Sequence, residues 1–281
     1  MNKSFTLIEI LVVIVVIGII SSFIIIGLSS VSDKAKIAKS QAFINSVDNS
    51  LLLSRVSNWK LDGNANDSWG VNNGTLVGPT HLPVLKTGSD CVSGSCYSFD
   101  GTEDYIDCGT GSNLNILGEL TISAWAKTIG SYDPLAGNWY YDNAGDKQGY
   151  RLDVDTTGYA RITTLASLVT SLEIVNDNKW HYLVGVYNPS TFLKIYVDGK
   201  LSNTVTSGIP SSLNASTHGF HIGYYYSNGN SYFAGSIDDV HVYSAIVPAL
   251  QIKEKYYSGL TKLLVSKEIF QKEYQRGLVK L

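Results

Sequence analysis

The feature that most constrains this chain is an almost unbroken apolar run from Phe5 to Leu28, FTLIEILVVIVVIGIISSFIIIGL, in which Glu9 is the sole charge. At about 1.5 Å per residue, a helix of this length extends about 36 Å, which is enough to cross a bilayer core of about 30 Å. In lipid, a single span can satisfy its backbone hydrogen bonds only as a helix. The sequence therefore predicts a transmembrane helix over residues 5–28, surrounded by membrane lipid.

The positions of Ser4 and Glu9 argue against an ordinary secretory signal peptide. Such a peptide has a shorter apolar core followed by a small-residue cleavage site, whereas Ser4 precedes the core of this run. A carboxylate inside a span costs about 3 kcal/mol to insert on translocon scales, so an intramembrane Glu indicates a function. We therefore expect cleavage before the apolar core and a specific task for Glu9.

The segment KSFTLIEILVVIVVIGII resembles the N-terminal motif of type IV pilins and type II secretion pseudopilins. This resemblance implies that prepilin peptidase removes the leader, residues 1–4, and that the new N-terminal Phe5 is methylated. It also implies that Glu9 pairs with the N-terminal amine of a neighbouring subunit, so other pilin subunits are expected partners. Opposite charges attract strongly at low dielectric, which agrees with that pairing. The family almost always has Gly before the cut, and Ser4 departs from this pattern.

After the span, apolar residues recur at spacings of three, four and seven, as on one face of a helix. They are Ile37, Phe43, Ile44, Val47, Leu51 and Leu52. We therefore expect the helix to continue to about Val56, within a pilin-like helical segment of residues 5–57. The alternative interpretation is a plain signal anchor with a membrane-proximal stalk, which would hold the protein at the surface without polymerising.

From Asn58 onward, short alternating runs are separated by Gly, Asn, Asp and Pro, which indicates strands and tight turns. The dipeptides Asp198–Gly199 and Asn228–Gly229 tolerate the positive φ that two-residue hairpin turns require. Strands at this spacing, without helical patterns between them, favour an antiparallel β-sandwich over residues 58–247.

Several blocks in this region resemble the laminin-G-like, concanavalin A-like lectin family. They are WKLDGNANDSWGVNNGTLVG, CYSFDGTEDYIDCG, LTISAWAK, KWHYLVGVYNPSTFLKIYVDGKL and AGSIDDVHVYSAIVP. The resemblance implies a mainly β fold, a two-sheet jelly-roll sandwich, carried here on the long N-terminal transmembrane helix. It also implies a concave face that binds glycans or proteins, and often a structural calcium ion.

A calcium site is also indicated by the loop LDGNANDSWGVNNG, where Asp62, Asn66, Asp67 and Asn73 supply hard oxygen donors. The resemblance implies that Asp238, at the start of the last strand, reaches this loop. The predicted calcium ligands are therefore Asp62, Asn66, Asn73 and Asp238. The alternative is that these side chains form Asx turns and bind no metal.

Exposed aromatic side chains are the candidates for a sugar site, because flat rings stack on pyranose faces. The best candidates lie in GNWYYDNAG and GYYYSNGN, whose Gly and Asn residues indicate loops. They are Trp139, Tyr140, Tyr141, Tyr224, Tyr225 and Tyr226. For any one of these side chains, packing in the core or at its rim is the competing interpretation.

Charge and motif patterns argue against other functions. With 21 basic and 24 acidic residues and a net charge of −3, the chain lacks the basic footprint of a nucleic-acid-binding protein. A glycosidase needs two carboxylates that flank the scissile bond. The acidic pairs Glu103–Asp104 and Asp238–Asp239 are sequence neighbours, whose side chains point to opposite faces of a strand. We therefore expect no enzyme, with a concanavalin-fold glycosidase as the weakest alternative.

Three cysteines leave the disulfide pairing open. Cys91 and Cys96 bracket the loop CVSGSC, in which Gly94 helps the chain to turn back. The rival pair is Cys96 with Cys108, across a predicted hairpin about Thr102. The sequence favours Cys91–Cys96.

The tail, residues 248–281, reads as short helices. Pro248 is suited to a first helical turn and Gly259 to a helix end, and a basic amphipathic stretch follows. The whole pattern predicts a pilin-like subunit with a noncatalytic, glycan-binding head. Such a protein is expected as a single-pass cytoplasmic membrane protein with an extracytoplasmic head, or in a surface pilus or pseudopilus.

Overall fold

The computed structural model describes residues 52–141, 145, 147–226 and 231–265. The leader, the predicted span with Glu9, and the tail beyond Val265 lie outside these ranges. Within the described residues, no helix is long and apolar enough to cross a membrane.

The described part consists of short strands followed by one α-helix. The strands are β1 Arg55–Trp59, β2 Thr75–Val77, β3 Val84–Thr87, β4 Ser95–Asp100, β5 Tyr105–Asp107, β6 Leu120–Thr128, β7 Asp133–Gly137, β8 Tyr140–Tyr141, β9 Lys147–Gln148, β10 Arg151–Val154, β11 Tyr159–Thr163, β12 Leu168–Ile174, β13 His181–Asn188, β14 Phe192–Val197, β15 Lys200–Val205, β16 His221–Ile222, β17 Tyr224–Tyr225, β18 Ser231–Tyr232 and β19 Ala234–Tyr243. The helix, α1, spans Ala249–Val265, and short 3-10 helices occupy Leu52–Ser54, Gly88–Asp90 and Ser112–Leu114.

Most of these strands form two antiparallel sheets. The back sheet has the order β15-β14-β13-β6-β19-β4-β3, with β1 also paired to β19. The front sheet has the order β12-β11-β10-β7-β16-β5-β2. Two small ribbons, β8–β9 and β17–β18, accompany them. This arrangement is a jelly-roll-like sandwich, which confirms the predicted class of the β domain.

The core lies between the two sheets because alternate side chains of each strand point inward. Leu152 and Val154 of β10 are fully buried there, opposite Leu183 of the back sheet's β13 in the same apolar cluster. Burying each such side chain contributes roughly 1.5–3 kcal/mol. The alternation leaves Arg151 and Asp153 of β10 on the outer face of the front sheet.

Helix α1 covers the outer face of the back sheet. Trp125 of β6 stacks on Tyr256 of the helix, with ring centroids 5.7 Å apart, and Tyr182 of β13 lies beside Trp125 at 5.3 Å. Ile252 and Leu260 of the helix are buried in the same cluster. Strand β13 is therefore buried on both faces, which explains its nearly continuous apolar sequence, HYLVGVYN.

The sequence predicted that a helix ends at Gly259, but the structure shows otherwise. Within the described residues there is one C-terminal helix where two short ones were expected. Helix α1 continues through Gly259 to Val265. A Cβ atom at this position would lie 2.2 Å from Cζ2 of Trp125. The glycine is therefore a contact point that lets the helix backbone approach the Trp125 ring, and packing overrides its tendency to end helices.

The N-terminal boundary of the sandwich also differs from the prediction. Residues Arg55–Trp59 form strand β1, so the helix predicted to reach Val56 does not extend that far. Trp59 is fully buried and stacks on Phe220 at 5.1 Å. Pairing with β19 and the burial of this tryptophan outweigh the helical periodicity of the preceding residues.

The predicted hairpin turn at Asp198–Gly199 is confirmed. It joins β14 to β15, and both residues have positive φ, 51° and 74°, as a type I′ turn requires. The second predicted turn, Asn228–Gly229, lies outside the described residues.

Asp67 organises the loop between β1 and β2. Its carboxylate accepts hydrogen bonds from the backbone N–H groups of Asn58, Trp69 and Gly70 at 3.0, 3.0 and 2.9 Å, and from that of Asn72 at 3.2 Å. Burial would raise the pKa of Asp67, but these N–H groups outweigh it and lower the pKa below its ordinary value. The ionised carboxylate therefore stabilises the fold.

We expect Asp67→Asn to lower the free energy of unfolding by about 1–3 kcal/mol, because an amide cannot accept all four hydrogen bonds. A lowered folded-state pKa gives stability that is present above the ordinary carboxyl pKa of about 3.9 and is lost as the pH falls through the folded value. Thermal unfolding of the full chain in detergent should thus show a difference from wild type at pH 7 that shrinks towards pH 3. Asp90→Asn, at an exposed position, is the control, and an equal loss in both variants would contradict the assignment.

Candidate functional site

A charged cluster lies on the outer face of the front sheet. Asp153 of β10 is shared by two arginines: its oxygens lie 2.9 Å from Nε and 2.9 Å from a terminal nitrogen of Arg161, and 2.6 Å from Nε of Arg151. Burial would lower the pKa of Arg161, but the Asp153 carboxylate raises it. One buried carboxylate against two guanidinium groups leaves an excess positive charge.

The guanidinium of Arg151 is held between two aromatic rings. It lies 4.6 Å from the ring centroid of Trp139 and 4.4 Å from that of Tyr225. These distances are typical of cation–π contacts, and the rings restrict the guanidinium plane. Arg151 is 8% exposed, so only a small part of its side chain is accessible.

That surface opens into a pocket of about 410 Å³, which we name the arginine pocket. Its walls comprise Arg151, Lys147, the aromatic residues Tyr132, Trp139 and Tyr141, and the β11–β12 connection from Thr163 to Leu168. This volume is within the range of small-ligand sites, and aromatic walls with a few polar groups are typical of them.

Three aromatic rings that are not part of the pocket wall stack on one another, and we name them the rim cluster. Tyr140, one residue after Trp139, lies 3.8 Å from His218 and 5.1 Å from Tyr226, with interplanar angles of 13° and 20°. Tyr226 is 38% exposed and Tyr140 is half-buried. The rim cluster therefore presents flat apolar surface to solvent.

A second group, the sheet cluster, consists of Tyr105, His221, Tyr224 and Tyr232. Tyr105 stacks on Tyr224 at 4.7 Å, and Tyr224 lies 5.1 Å from Tyr232. His221 contacts Tyr105 and Tyr224 edge-on, and its burial lowers its pKa to about 4. A neutral imidazole at neutral pH makes this an apolar patch as well.

The aromatic residues predicted from the sequence fall into three environments. Tyr140 and Tyr226 meet in the rim cluster, whereas Tyr224 belongs to the sheet cluster. Trp139 and Tyr225 are buried, at 4% and 1% exposure, with Arg151 between their faces. These two rings therefore do not present the free faces that the sequence predicted. Tyr141 lines the arginine pocket, with Nζ of Lys147 5.6 Å from its centroid.

Four residues of these clusters were not predicted from the sequence: Arg151, Lys147, Tyr105 and His218. A signal for Arg151 is present in GYRLDVDTTGYARITTL, where charged residues alternate with apolar ones along two predicted strands. Because alternate residues share a face, that pattern places Arg151, Asp153 and Arg161 together on the outer side of one hairpin. No comparable local signal joins Tyr105 to Tyr224, since the sheet alone brings them together.

Two of the four predicted calcium ligands meet at one loop. Asp62 accepts a hydrogen bond from the backbone N–H of Ser95 at 2.9 Å, and Oδ2 of Asp238 accepts bonds from Val92 and Ser93 at 3.0 Å each. Oδ1 of Asp238 is buried without a hydrogen bond. Burial, with the nearby Asp239 charge, raises the pKa of Asp238 to about 9.

The other two predicted ligands serve the preceding loop. Oδ1 of Asn73 accepts the backbone N–H of Asp67 at 3.0 Å, and the N–H of Asn66 donates to the Asn64 side chain at 2.9 Å. The Asn64 contact is an Asx turn, as in the alternative interpretation, whereas the Asn73 side chain closes the loop across six residues. Across the described ranges, no group of three or more His, Cys, Asp or Glu side chains could hold a metal ion. Calcium binding here stays a prediction.

The carboxyl groups with raised pKa are structural. Burial raises the pKa of Asp104 to about 6, and its Oδ1 accepts the backbone N–H of Asp100 at 2.9 Å. Asp133 accepts the Thr128 hydroxyl at 2.5 Å, and Asp238 holds the loop described above. All three are buried, with exposures of 0–2%, so none of these acids in the described part of the chain can reach a glycosidic bond.

The cysteines form one bridge. Cys91 and Cys96 are joined by a disulfide, and Cys108 is a buried free thiol. Burial raises the pKa of the Cys108 thiol well above its ordinary value, which keeps it protonated and unreactive.

Two sequence families match different parts of the chain. Residues 100–253 match Laminin_G_3, described as the concanavalin A-like lectin/glucanases superfamily. Residues 1–25 match the prokaryotic N-terminal methylation motif. Both matches agree with the resemblances noted in the sequence. No curated protein matches the chain.

Solved structures share the fold at low sequence identity. Domain 4 of AbnA, a GH43 extracellular arabinanase from Geobacillus stearothermophilus in complex with arabinotriose, has a TM-score of 0.55 and 15% identity over 72% of this chain and 97% of that one. The binding domain of Paraclostridial Mosquitocidal Protein 1 gives 0.56 and 13%, over 74% and 53%. The ligand-binding domain of botulinum neurotoxin serotype D, in complex with N-acetylneuraminic acid, gives 0.54 and 14%, over 75% and 52%. The chain thus spans about half the length of the two toxin domains.

We expect Asp153→Asn to lower the free energy of unfolding by about 3–5 kcal/mol, because it leaves two largely buried guanidinium groups without their shared carboxylate. Asp177→Asn, at a surface site where Asp177 pairs with Lys179 and His181, is the control and should cost about 1 kcal/mol or less. Chemical denaturation of both full-length variants in detergent measures the difference. Equal losses would show that the cluster is no more than a surface ion pair.

Proposed function

Since the chain belongs to the concanavalin A-like lectin/glucanases superfamily and begins with a prokaryotic N-terminal methylation motif, we propose that it is a type IV pilin-like subunit displaying a noncatalytic, carbohydrate-binding head outside the cell. The observation that carries this proposal is the outer face of the front sheet. There Trp139 and Tyr225 hold Arg151 at the arginine pocket, and their chain neighbours Tyr140 and Tyr226 stack in the rim cluster.

The rim cluster supports saccharide binding through its shape and its polarity. The C–H face of a pyranose ring is flat and apolar, and it packs well on an aromatic ring of similar width. Tyr140 and Tyr226 stack with a small interplanar angle, so they form a continuous platform. Their hydroxyl groups and His218 supply polar edges for sugar hydroxyls.

The acidic side chains whose pKa is raised are buried, which supports a noncatalytic head. Glycoside hydrolysis requires an acid and a second carboxyl group about 5–10 Å apart across an open site. Asp104 and Asp238 are enclosed by their own backbone partners. The solved structures with the same fold give further support, since two of them are binding domains by name and a third was solved with arabinotriose.

The N-terminal motif supports export and assembly. In this proposal, prepilin peptidase cleaves after Ser4, Phe5 becomes the methylated N-terminus, and residues 5–28 anchor the subunit in the cytoplasmic membrane or in a fibre. Glu9 then pairs with the N-terminal amine of an adjacent pilin subunit, because each charge offsets the burial of the other in lipid.

Replacing Tyr140 or Tyr226 by Ala should weaken saccharide binding about fivefold to tenfold, because each substitution removes a stacking surface worth about 1 kcal/mol. A glycan array probed with the full chain in detergent identifies the bound saccharides, and titration of the best one measures the change. Tyr257→Ala, at a half-buried tyrosine on helix α1, is the matched control. If all three variants bind equally well, the rim cluster is not the platform.

Mass spectrometry of the mature protein should find a methylated Phe5 at its N-terminus. Ser4→Gly should increase the cleaved fraction in cells with prepilin peptidase, because glycine is the family's residue before the cut. Glu9→Gln should be cleaved normally yet fail to enter fibres, since it lacks the charge that pairs with the adjacent amine. Full-length, unmodified protein in the presence of the peptidase would instead favour a membrane-anchored lectin that does not polymerise.

A further inference from the structure

We propose that the arginine pocket binds the carboxylate of an acidic saccharide, a uronic or sialic acid residue, with Arg151 as its principal contact. This proposal rests on the carbohydrate-binding function inferred above and names its ligand class. Three properties of the pocket carry it: unused hydrogen-bond donors, a fixed guanidinium and a local excess of positive charge.

The first property is that polar groups at the pocket lack partners. Within the described part of the chain, the guanidinium of Arg151 makes no hydrogen bond: Nε is buried without one, although it lies 2.6 Å from Oδ2 of Asp153, and the two terminal nitrogens have none either. The hydroxyl of Thr163, directly opposite Arg151 in the β10–β11 register, is buried without a partner, and so is Nε1 of Trp139. Buried polar groups left unpaired cost about 1–3 kcal/mol each, so the Thr163 hydroxyl and Trp139 Nε1, together with the terminal nitrogens of Arg151, indicate that a ligand completes them.

The second property is that the guanidinium is held in place before any ligand arrives. Asp153 fixes Nε of Arg151, while the rings of Trp139 and Tyr225 fix the guanidinium plane. An arginine fork matches a carboxylate with two parallel hydrogen bonds. Because little side-chain entropy remains to be lost, more of the interaction energy becomes affinity.

The third property is the sign of the local charge. Arg151 and Lys147 line the pocket, and no acidic side chain is among the described residues of its wall. Asp153 lies behind the pocket and is shared with Arg161, so it neutralises one of the two guanidinium groups. A neutral saccharide would leave the excess charge uncompensated, whereas a carboxylate would offset it.

The neighbouring surfaces explain why the anion would be part of a sugar. Three aromatic residues, Tyr132, Trp139 and Tyr141, belong to the pocket wall together with Arg151. A carboxylate bound at Arg151 therefore directs the attached pyranose ring towards aromatic surface. The hydroxyl groups of Thr164 and Ser167 also line the pocket; that of Thr164 donates to the Ser167 carbonyl and can still accept from a ring hydroxyl.

The test measures binding of the full chain in detergent to two acidic probes, trigalacturonate and 3′-sialyllactose. Each is compared with its own methyl ester, a neutral analogue of nearly the same size. We expect at least one acidic probe to bind about tenfold more tightly than its neutral analogue, since a charge-assisted bidentate pair is worth about 1.5–3 kcal/mol. Which acid binds distinguishes a uronate from a sialate site. The preference should shrink as the salt concentration is raised, because a partly open site is screened.

Two substitutions assign the preference to the pocket. Arg151→Lys keeps the charge but removes the fork, and should weaken binding of the acidic probe about tenfold. Lys147→Gln, at an exposed position, should weaken it about twofold to fivefold without affecting folding, which thermal unfolding checks. Lys194→Gln, on strand β14 of the back sheet, is the matched control and should bind like wild type.

The outcomes separate this inference from the function on which it rests. Equal binding of the acidic probes and their neutral analogues by the wild type would overturn the acidic ligand class. The carbohydrate-binding head would still stand if that binding were lost in Tyr140→Ala. A carboxylate preference that survives both Arg151→Lys and Lys147→Gln would overturn the assignment to this pocket. Absence of binding to every saccharide on an array would overturn both proposals.

Discussion

The structure depends on burying both faces of the back sheet. The front sheet covers its inner face, and helix α1 covers its outer face through the contact between Trp125 and Tyr256. Gly259 makes this contact possible, because any side chain there would overlap the tryptophan ring. Since the helix occupies one side of the sandwich, the outer face of the front sheet is free to carry polar and aromatic groups. The position of the functional site is thus a consequence of how the opposite sheet is covered.

The front face meets two demands that usually conflict. A binding surface must expose aromatic rings and charges, whereas a stable sheet must satisfy its buried polar groups. Asp153 reconciles the two, because it neutralises Arg161 and positions Arg151 without using that residue's terminal nitrogens. The rings of Trp139 and Tyr225, which the sequence indicated as sugar-stacking groups, support the guanidinium instead. In the proposed binding of an acidic saccharide, these two rings would therefore act indirectly, through the orientation of Arg151.

Period-two patterns and turn residues were sufficient to predict the class of the β domain and the Asp198–Gly199 hairpin, because both are set by local sequence. They were not sufficient to predict where the first strand begins or that α1 runs through Gly259. At Arg55 and at Gly259, long-range packing overrides a local preference. For the site, the loop composition indicated Tyr140 and Tyr226 only as separate exposed aromatic candidates, and their stacking on each other is a product of the fold. Arg151 was missed because its importance comes from what it lacks, a partner for its terminal nitrogens, and that is a property of the folded molecule.

The overall charge of the protein bears on how such a site would work. At a net charge of −3, the protein as a whole does not attract anions over long distances, so an acidic saccharide gains little from electrostatic steering. Its affinity must come from contacts made within the partly open pocket, where the guanidinium is already oriented. A single pocket of this size supports only modest affinity. In the proposed fibre, however, many copies of the head would face the same polysaccharide, and linked weak contacts multiply into strong attachment. Under the proposed function, a weak, preorganised site and a polymerising N-terminal segment would therefore complement each other in adhesion.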